Sequence, residues 1–323
     1  MAITINPISP VAFSVFGVPV RWYALAYIAA FVCGYFLFKY LMERKDSQIK
    51  LSKKQLDDLL TAVILGVILG GRLGYVLLYN LPFFIAHPLE IFAVWHGGMS
   101  FHGGLIGVIT AVFLFAWNLH RKHDFATSGG IYKTAFRILD IMSVVVPIGL
   151  FFGRIANFIN MEVMGRPTTS PLGVIFTGDT PIPRPPSPLY EAATEGVLLF
   201  LLMFYLYRFT KLRRYPGALG GILGMAYAVA RIFCEQFRAP DVQIGFLTSW
   251  GLTMGQLLSG LMFIAGAVIF AVAMRRGNAD TGNRQFSYNP LKCAYIFNHK
   301  KVVKYEESRN FIYCIRTLYS FLG

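Results

Sequence analysis

Long apolar stretches alternate along the chain with short segments dense in Lys, Arg, Gly and Pro. A run of about 18 or more apolar residues reads as a spanning helix, because about 20 residues at 1.5 Å each cross a hydrocarbon core about 30 Å thick. Seven segments are read this way: residues 20–42, 59–79, 103–119, 138–152, 189–207, 217–237 and 253–274. The pattern predicts an all-α integral membrane protein of seven transmembrane helices, with a long outer loop between spans four and five. That loop, residues 154–188, carries Pro167, Pro171, Pro181, Pro183, Pro185, Pro186 and Pro188, so it is not continuous helix. Its length argues for a role beyond connection. Past about residue 277 the apolar periodicity stops, which divides the chain into a membrane domain (1–276) and a cytoplasmic tail (277–323). No internal repeat suggests the paired halves of a transporter.

Composition agrees: 55% of the 323 residues are hydrophobic and only 14% charged, against about a quarter charged in soluble domains. The net charge of +14 would suggest nucleic acid in a soluble protein. Here the basic residues fall in alternate loops, so no nucleic-acid partner is expected. Arg44, Lys45, Lys50, Lys53 and Lys54 follow span one; Arg121, Lys122 and Lys133 follow span three; Arg208, Lys211, Arg213 and Arg214 follow span five. The loop after span two has no Lys or Arg, and the loop after span six has only Arg238. The positive-inside rule therefore places these basic loops and the C-terminus in the cytoplasm and the N-terminus outside. No basic n-region or Ala-x-Ala-like site precedes span one, so that span is expected to stay in the protein. Cys33, Cys234, Cys293 and Cys314 form no metal-ligand spacing, and Cys33 and Cys234 read as packing residues. No metal is expected.

Ionisable residues within spans carry the chemical information, since a centred Arg or Asp costs roughly 2.5–3.5 kcal/mol on insertion scales. Arg72, Arg154 and Arg231 come from three spans and are expected at one depth near the outer face. Together they suggest an anion pocket, because the guanidinium fork grips phosphate bidentately. Glu195 is a further ionisable residue in a span. Tyr227, Arg231 and Glu235 recur at four-residue spacing and share one helical stripe, with Arg238 about a turn beyond; Glu235 is expected to balance part of the Arg231 charge. Asp140 is assigned a structural role. The run Gly97-Gly98-Met99-Ser100-Phe101-His102-Gly103-Gly104 opens span three. Its glycines would let a backbone or a lipid head group approach closely and leave free amide donors at the helix start, beside His102 as a candidate general base. Ser100 and His102 lie two apart and do not face each other on a helix, and no Gly-x-Ser-x-Gly elbow is present, which argues against a serine hydrolase. A flippase would want polar residues at both faces, whereas this cluster is confined to one.

Span four runs into Gly153-Arg154-Ile155-Ala156-Asn157-Phe158-Ile159-Asn160-Met161-Glu162-Val163-Met164-Gly165. This run resembles the signature of the bacterial prolipoprotein diacylglyceryl transferases, Gly-Arg-x-(Gly/Ala)-Asn-Phe-x-Asn-x-Glu-x-x-Gly, at every defined position. Arg21-Trp22-Tyr23, residues 69–75, residues 97–107, Ser187 with Leu189-Tyr190-Glu191, and residues 227–241 add to the resemblance, which covers roughly residues 15–275. Where the family usually reads Arg-His-Pro-Ser-Gln-Leu-Tyr-Glu, this chain has Arg184-Pro185-Pro186-Ser187-Pro188-Leu189-Tyr190-Glu191.

The resemblance implies transfer of the diacylglyceryl group of phosphatidylglycerol to the lipobox cysteine of prolipoprotein signal peptides, in the bacterial inner membrane and without a cofactor. On that reading His102, Arg154, Arg231 and Tyr23 are the candidate catalytic residues. Arg154, Asn157, Asn160, Glu162, Gly165, Arg72, Tyr227 and Glu235 are the candidate head-group residues. A histidine near pKa 6.5 suits deprotonation of a thiol near 8.5.

Overall fold

The computed structural model describes residues 2–79, 81–93, 97–122, 130–178, 181–240, 245–249 and 251–282. One compact unit covers Met1–Gly277. The expectation for a separate tail falls mainly on residues 283–323, which lie outside the described residues.

Strand β1 (Ile3–Ile5) and a hairpin of β2 (Val11–Val15) and β3 (Val18–Arg21) lead directly into α1 (Trp22–Glu43). Helix α2 is Lys53–Tyr79 and α3 is the short Leu81–Ala86, followed by a 3-10 turn at Pro88–Phe92. Helices α4 (Phe101–Arg121) and α5 (Gly130–Ile159) precede β4 (Val174–Phe176). Helix α6 (Ser187–Glu191) continues through a π-helical turn (Ala192–Leu198) into α7 (Leu199–Phe209), and α8 (Ala218–Glu235) and α9 (Met254–Gly282) complete the order.

All seven expected spans are present as helices long and apolar enough to cross a membrane: Trp22–Glu43, Lys53–Tyr79, Phe101–Arg121, Gly130–Ile159, Ser187–Phe209, Ala218–Glu235 and Met254–Arg276. The protein is an all-α multi-pass membrane protein. Span four is longer than the sequence suggests, because its ends carry Lys133, Arg137 and Arg154, which interrupt the apolar run without interrupting the helix. Arg154 to Ile159 are therefore helical, and the irregular segment between spans four and five begins at Asn160, six residues later than expected. Tyr27, Ile28, Val32 and Phe36 on α1 and Leu261, Ile264 and Val268 on α9 are exposed, as lipid-facing positions are.

Strand β1 pairs in parallel with β4, Ile3 opposite Val174 and Ile5 opposite Phe176. The N-terminus and the segment between spans four and five thus share one end of the molecule. The buried core lies toward the other end. It gathers Phe38, Leu41 and Met42 from the end of α1, Leu56 and Leu59 from the start of α2, Phe115 and Leu119 from α4, Ile138 from α5, Met203 from α7 and Leu219 from α8. Asp46, just after α1, binds Arg44 at 3.2 Å and Arg213 at 2.7 Å, tying two basic loops together. Burial pushes the Asp46 carboxyl up, but these two arginines outweigh it and hold it below the usual range. Asp140 keeps the structural role expected of it, for its carboxylate accepts the Gly217 and Gly220 amides (2.7 and 2.9 Å) at the start of α8. Cys234 is buried, with its Sγ 3.1 Å from the Thr194 hydroxyl, whereas Cys33 is exposed on α1.

Glycines explain the contact between α2 and α4. A Cβ at Gly66 would lie 2.7 Å from the Gly107 carbonyl oxygen, and one at Gly74 would lie 2.6 Å from the Gly103 Cα. Gly70 and Gly103 meet each other's helix more closely still. Two backbones pack together this tightly only where neither bears a side chain, a common solution between helices in lipid.

Candidate active site

With the core at one end, the helices leave a crevice of about 410 Å³ at the other. Helix α2 lines it with Tyr75 and Tyr79, the start of α4 with Phe101 and His102, and α5 with Arg154. Tyr227, Arg231 and Arg238 reach it from α8 and the residues just beyond, while Met254, Gly255, Leu258 and Ser259 come from α9. The Phe101 ring stacks on Tyr227 at 5.4 Å and meets His102 edge-on, also at 5.4 Å, which sets the imidazole at the mouth of the polar patch.

Arg154 and Arg231 come together as expected, but each is held by carboxylates of the fifth span. Glu191 places Oε2 2.9 Å from Arg154 Nε and Oε1 2.8 Å from Arg231 Nη1, and Oε1 is 3.4 Å from Arg238 Nη1. Glu195 Oε2 lies 3.1 Å from Arg154 Nη2, and its Oε1 3.8 Å from Arg231 Nη1. Glu235 completes the set, 2.8 Å from Arg231 Nη2, which is the pairing the four-residue spacing implied. Glu191 and Glu195 are fully buried and neither lines the crevice. Their arrival depends on the π-helical turn that follows Glu191 and contains Glu195, a local widening often found at functional sites.

Arg72 is not brought to the crevice. The residue is 5% exposed, and its guanidinium donates to the carbonyls of Ile91, Gly97, Gly98, Glu90 and Ala93, over the Phe84 ring at 5.1 Å. The fork satisfies carbonyls of the chain between α3 and α4. The glycine run at the start of α4 departs from expectation in its amides, while the close approach of a backbone is met by α2. The Gly103 amide donates to Ser100 Oγ at 3.3 Å and the Gly104 amide to Ser100 O at 2.9 Å, so these two donors are consumed by the helix cap. Gly103 and Gly107 face α2.

The rest of the signature forms a second cluster. Asn157 Nδ2 donates to Tyr23 Oη (3.1 Å) and Glu162 Oε2 (3.0 Å), and Asn160 Nδ2 reaches Glu162 Oε1 at 3.4 Å. Asn157 lies three residues after Arg154, hence on the same face of α5, but neither it nor Tyr23 is among the residues lining the crevice. Gly165 acts through space rather than chemistry. A Cβ there would lie 2.7 Å from Phe237 O and 2.8 Å from Pro185 O, because residues 164–166 run against 237–239. Arg166 closes that seam by donating to Arg238 O at 2.9 Å and Glu235 O at 3.4 Å. Val163, a β-branched residue, is held at φ 60°, a strained conformation fixed partly by the Ser187 hydroxyl on its carbonyl at 2.7 Å. Pro188, where the sequence departs from the expected loop, occupies the first turn of α6 and fits because proline suits that position.

Sequence reasoning named Glu195 among the ionisable candidates within spans but gave it no partner, and assigned no site role to Glu191 or Arg238. A signal was present: two glutamates four apart inside an apolar span need cationic partners, and the only nearby candidates in spans are arginines.

A family model described as prolipoprotein diacylglyceryl transferase matches residues 10–272. Curated relatives named phosphatidylglycerol–prolipoprotein diacylglyceryl transferase are similar over nearly their whole length. The one from Rhodospirillum rubrum is 47% identical over 275 residues, 85% of this chain and 95% of that protein. That from Methylocella silvestris is 48% identical over 272 residues, 83% and 95% respectively. That from a Wolbachia of Culex pipiens is 47% identical over 269 residues, again 83% and 95%.

Proposed function

The chain belongs to the prolipoprotein diacylglyceryl transferase family, and we propose that its outer crevice is where a diacylglyceryl group passes from phosphatidylglycerol to the lipobox cysteine of a prolipoprotein signal peptide. The observation that carries this reading is the meeting of Arg154, Arg231 and His102 in one crevice within the membrane domain.

In the reaction the cysteine sulfur attacks the glycerol methylene that bears the phosphate. A C–S bond forms, the C–O bond breaks, and glycerol phosphate departs with the electron pair. His102 takes the thiol proton. Arg154 and Arg231 hold the phosphate and stabilise the charge that grows on it. Tyr227 and the tyrosines of α2 border the head group. The cluster of Tyr23, Asn157, Asn160 and Glu162 fixes the outer end of α5 and so aims Arg154. Phosphatidylglycerol and the signal peptide both reach the crevice from the bilayer. The site faces the periplasm of the bacterial inner membrane, with the N-terminus on the same side and the basic loops in the cytoplasm, as their charge supports.

Purified protein incubated with head-group-labelled phosphatidylglycerol and a lipobox peptide is expected to give lipidated cysteine and labelled glycerol phosphate in equal amounts. A peptide with Ser in place of Cys is expected to give neither. Release of diacylglycerol or fatty acid without thioether would instead identify a hydrolase, and movement of intact lipid between leaflets would identify a flippase.

A further inference from the structure

Arg154, Arg231 and Arg238 face Glu191, Glu195 and Glu235, so three guanidiniums stand against three carboxylates and the cluster is formally neutral. A pocket meant only to hold phosphate tightly would leave its arginines bare. Two of the three carboxylates, Glu191 and Glu195, have no exposed surface and touch the arginines without lining the crevice. They are out of reach of the head group, and act on it through the charge they remove from the guanidiniums.

The chemistry of the proposed transfer, on which this inference rests, gives that neutralisation a purpose. The substrate is a phosphodiester with one negative charge. The leaving glycerol phosphate is a monoester, with a second pKa near 6, and is close to a dianion at neutral pH. A crevice of charge +3 would bind the dianion far more strongly than the diester and would hold its own product. We infer that Glu191 and Glu195 are positioning residues that set the arginines in place and lower the charge of the crevice, so that the monoanionic lipid is held while the dianionic product is let go. Glu191 has the larger share, because its one carboxylate meets all three guanidiniums, at 2.9, 2.8 and 3.4 Å.

The test measures binding rather than turnover, in nanodiscs, by competition against phosphatidylglycerol. The probes are glycerol phosphate, a dianion, and glycerophosphoglycerol, the deacylated monoanionic diester. Wild-type protein is expected to bind the dianion no more than a few-fold more tightly than the diester at pH 7.5. Glu191→Gln and Glu195→Gln keep shape and volume while removing one charge each, and are expected to shift the ratio toward the dianion by about tenfold or more, reflecting a full charge in a poorly screened site. A purely structural role predicts weaker binding of both probes with the ratio unchanged, and that result in the folded variants would overturn the inference. So would a wild-type protein that prefers the dianion a hundredfold, a measurement that needs no variant and decides the matter if both variants fail to insert. Failure of the transfer reading would be seen separately, as absence of lipidated peptide in the turnover assay.

Discussion

Arginines in this molecule have two distinct jobs, and their partners tell which. Arg72 is spent on backbone carbonyls, whereas Arg154 and Arg231 are poised between buried glutamates and an open crevice. Replacing Arg154 or Arg231 with Ala is expected to lower turnover by roughly 10²–10³-fold, the usual loss on removing one donor to developing charge. Part of the effect will be on folding, since a buried carboxylate left without its partner costs on the order of 3–5 kcal/mol. Lys at either position therefore makes the sharper measurement. It restores the charge for Glu191 and Glu195 but not the fork, and is expected to recover the melting temperature more fully than the rate. For His102, the check is initial rate against pH from about 6 to 9.5. If His102 is the base, the wild-type rate rises only until the imidazole is deprotonated and then levels, while His102→Asn should rise on toward the thiol pKa near 8.5, so its defect shrinks as pH increases. A defect of constant size would remove His102 from the base role.

At the scale of elements, the site depends on how helix ends are held. Gly66, Gly70 and Gly74 let α2 lie against Gly103 and Gly107 of α4, which fixes where α4 begins and thus where His102 stands. Arg72 secures the chain between those two helices, and Arg166 secures α8 against the signature loop. Arg72→Gln is accordingly expected to lower the melting temperature and loosen the loop before α4, with amide exchange rising there. Affinity for phosphatidylglycerol should change much less than it does for Arg231→Lys. An equal loss of lipid affinity in a protein that melts normally would return Arg72 to the anion site.

For the whole molecule, the pairing of β1 with β4 places the N-terminus and the segment after span four at one end, which also holds the crevice. A reporter fused after Met42 or Lys211 is expected to read cytoplasmic, and one inserted near Pro183 periplasmic. A cytoplasmic signal at Pro183 would turn the proposed site to the wrong face of the membrane. Truncation after Arg276 removes a stretch that the family match, residues 10–272, does not include. The shortened protein should keep transfer activity within a few-fold, and complete loss in protein that inserts normally would make the tail part of the working enzyme.

The sequence by itself determined the number and order of the spans, the asymmetry of basic loops and the signature from Gly153 to Gly165. These are properties of contiguous residues: a run of apolar side chains is helical in lipid wherever it lies, because its backbone groups have no partner but each other. It also singled out Arg154, Arg231 and His102 as candidates, since polar residues in an apolar run are costly and therefore conspicuous. Only the tertiary structure decided what those residues touch. Arg231 meets Glu191 forty positions away and Arg154 meets Glu195 across forty-one, and Arg72 turns from the expected anion site to carbonyls eighteen to twenty-six residues on. Ion pairs of this kind fall off within a few ångströms, so their existence rests on the angles at which helices pack. Those angles are set by small residues such as Gly70 and Gly103; the sequence alone left open whether Gly103 admits a head group or a backbone, and the fold puts both glycines at the close approach of two helices.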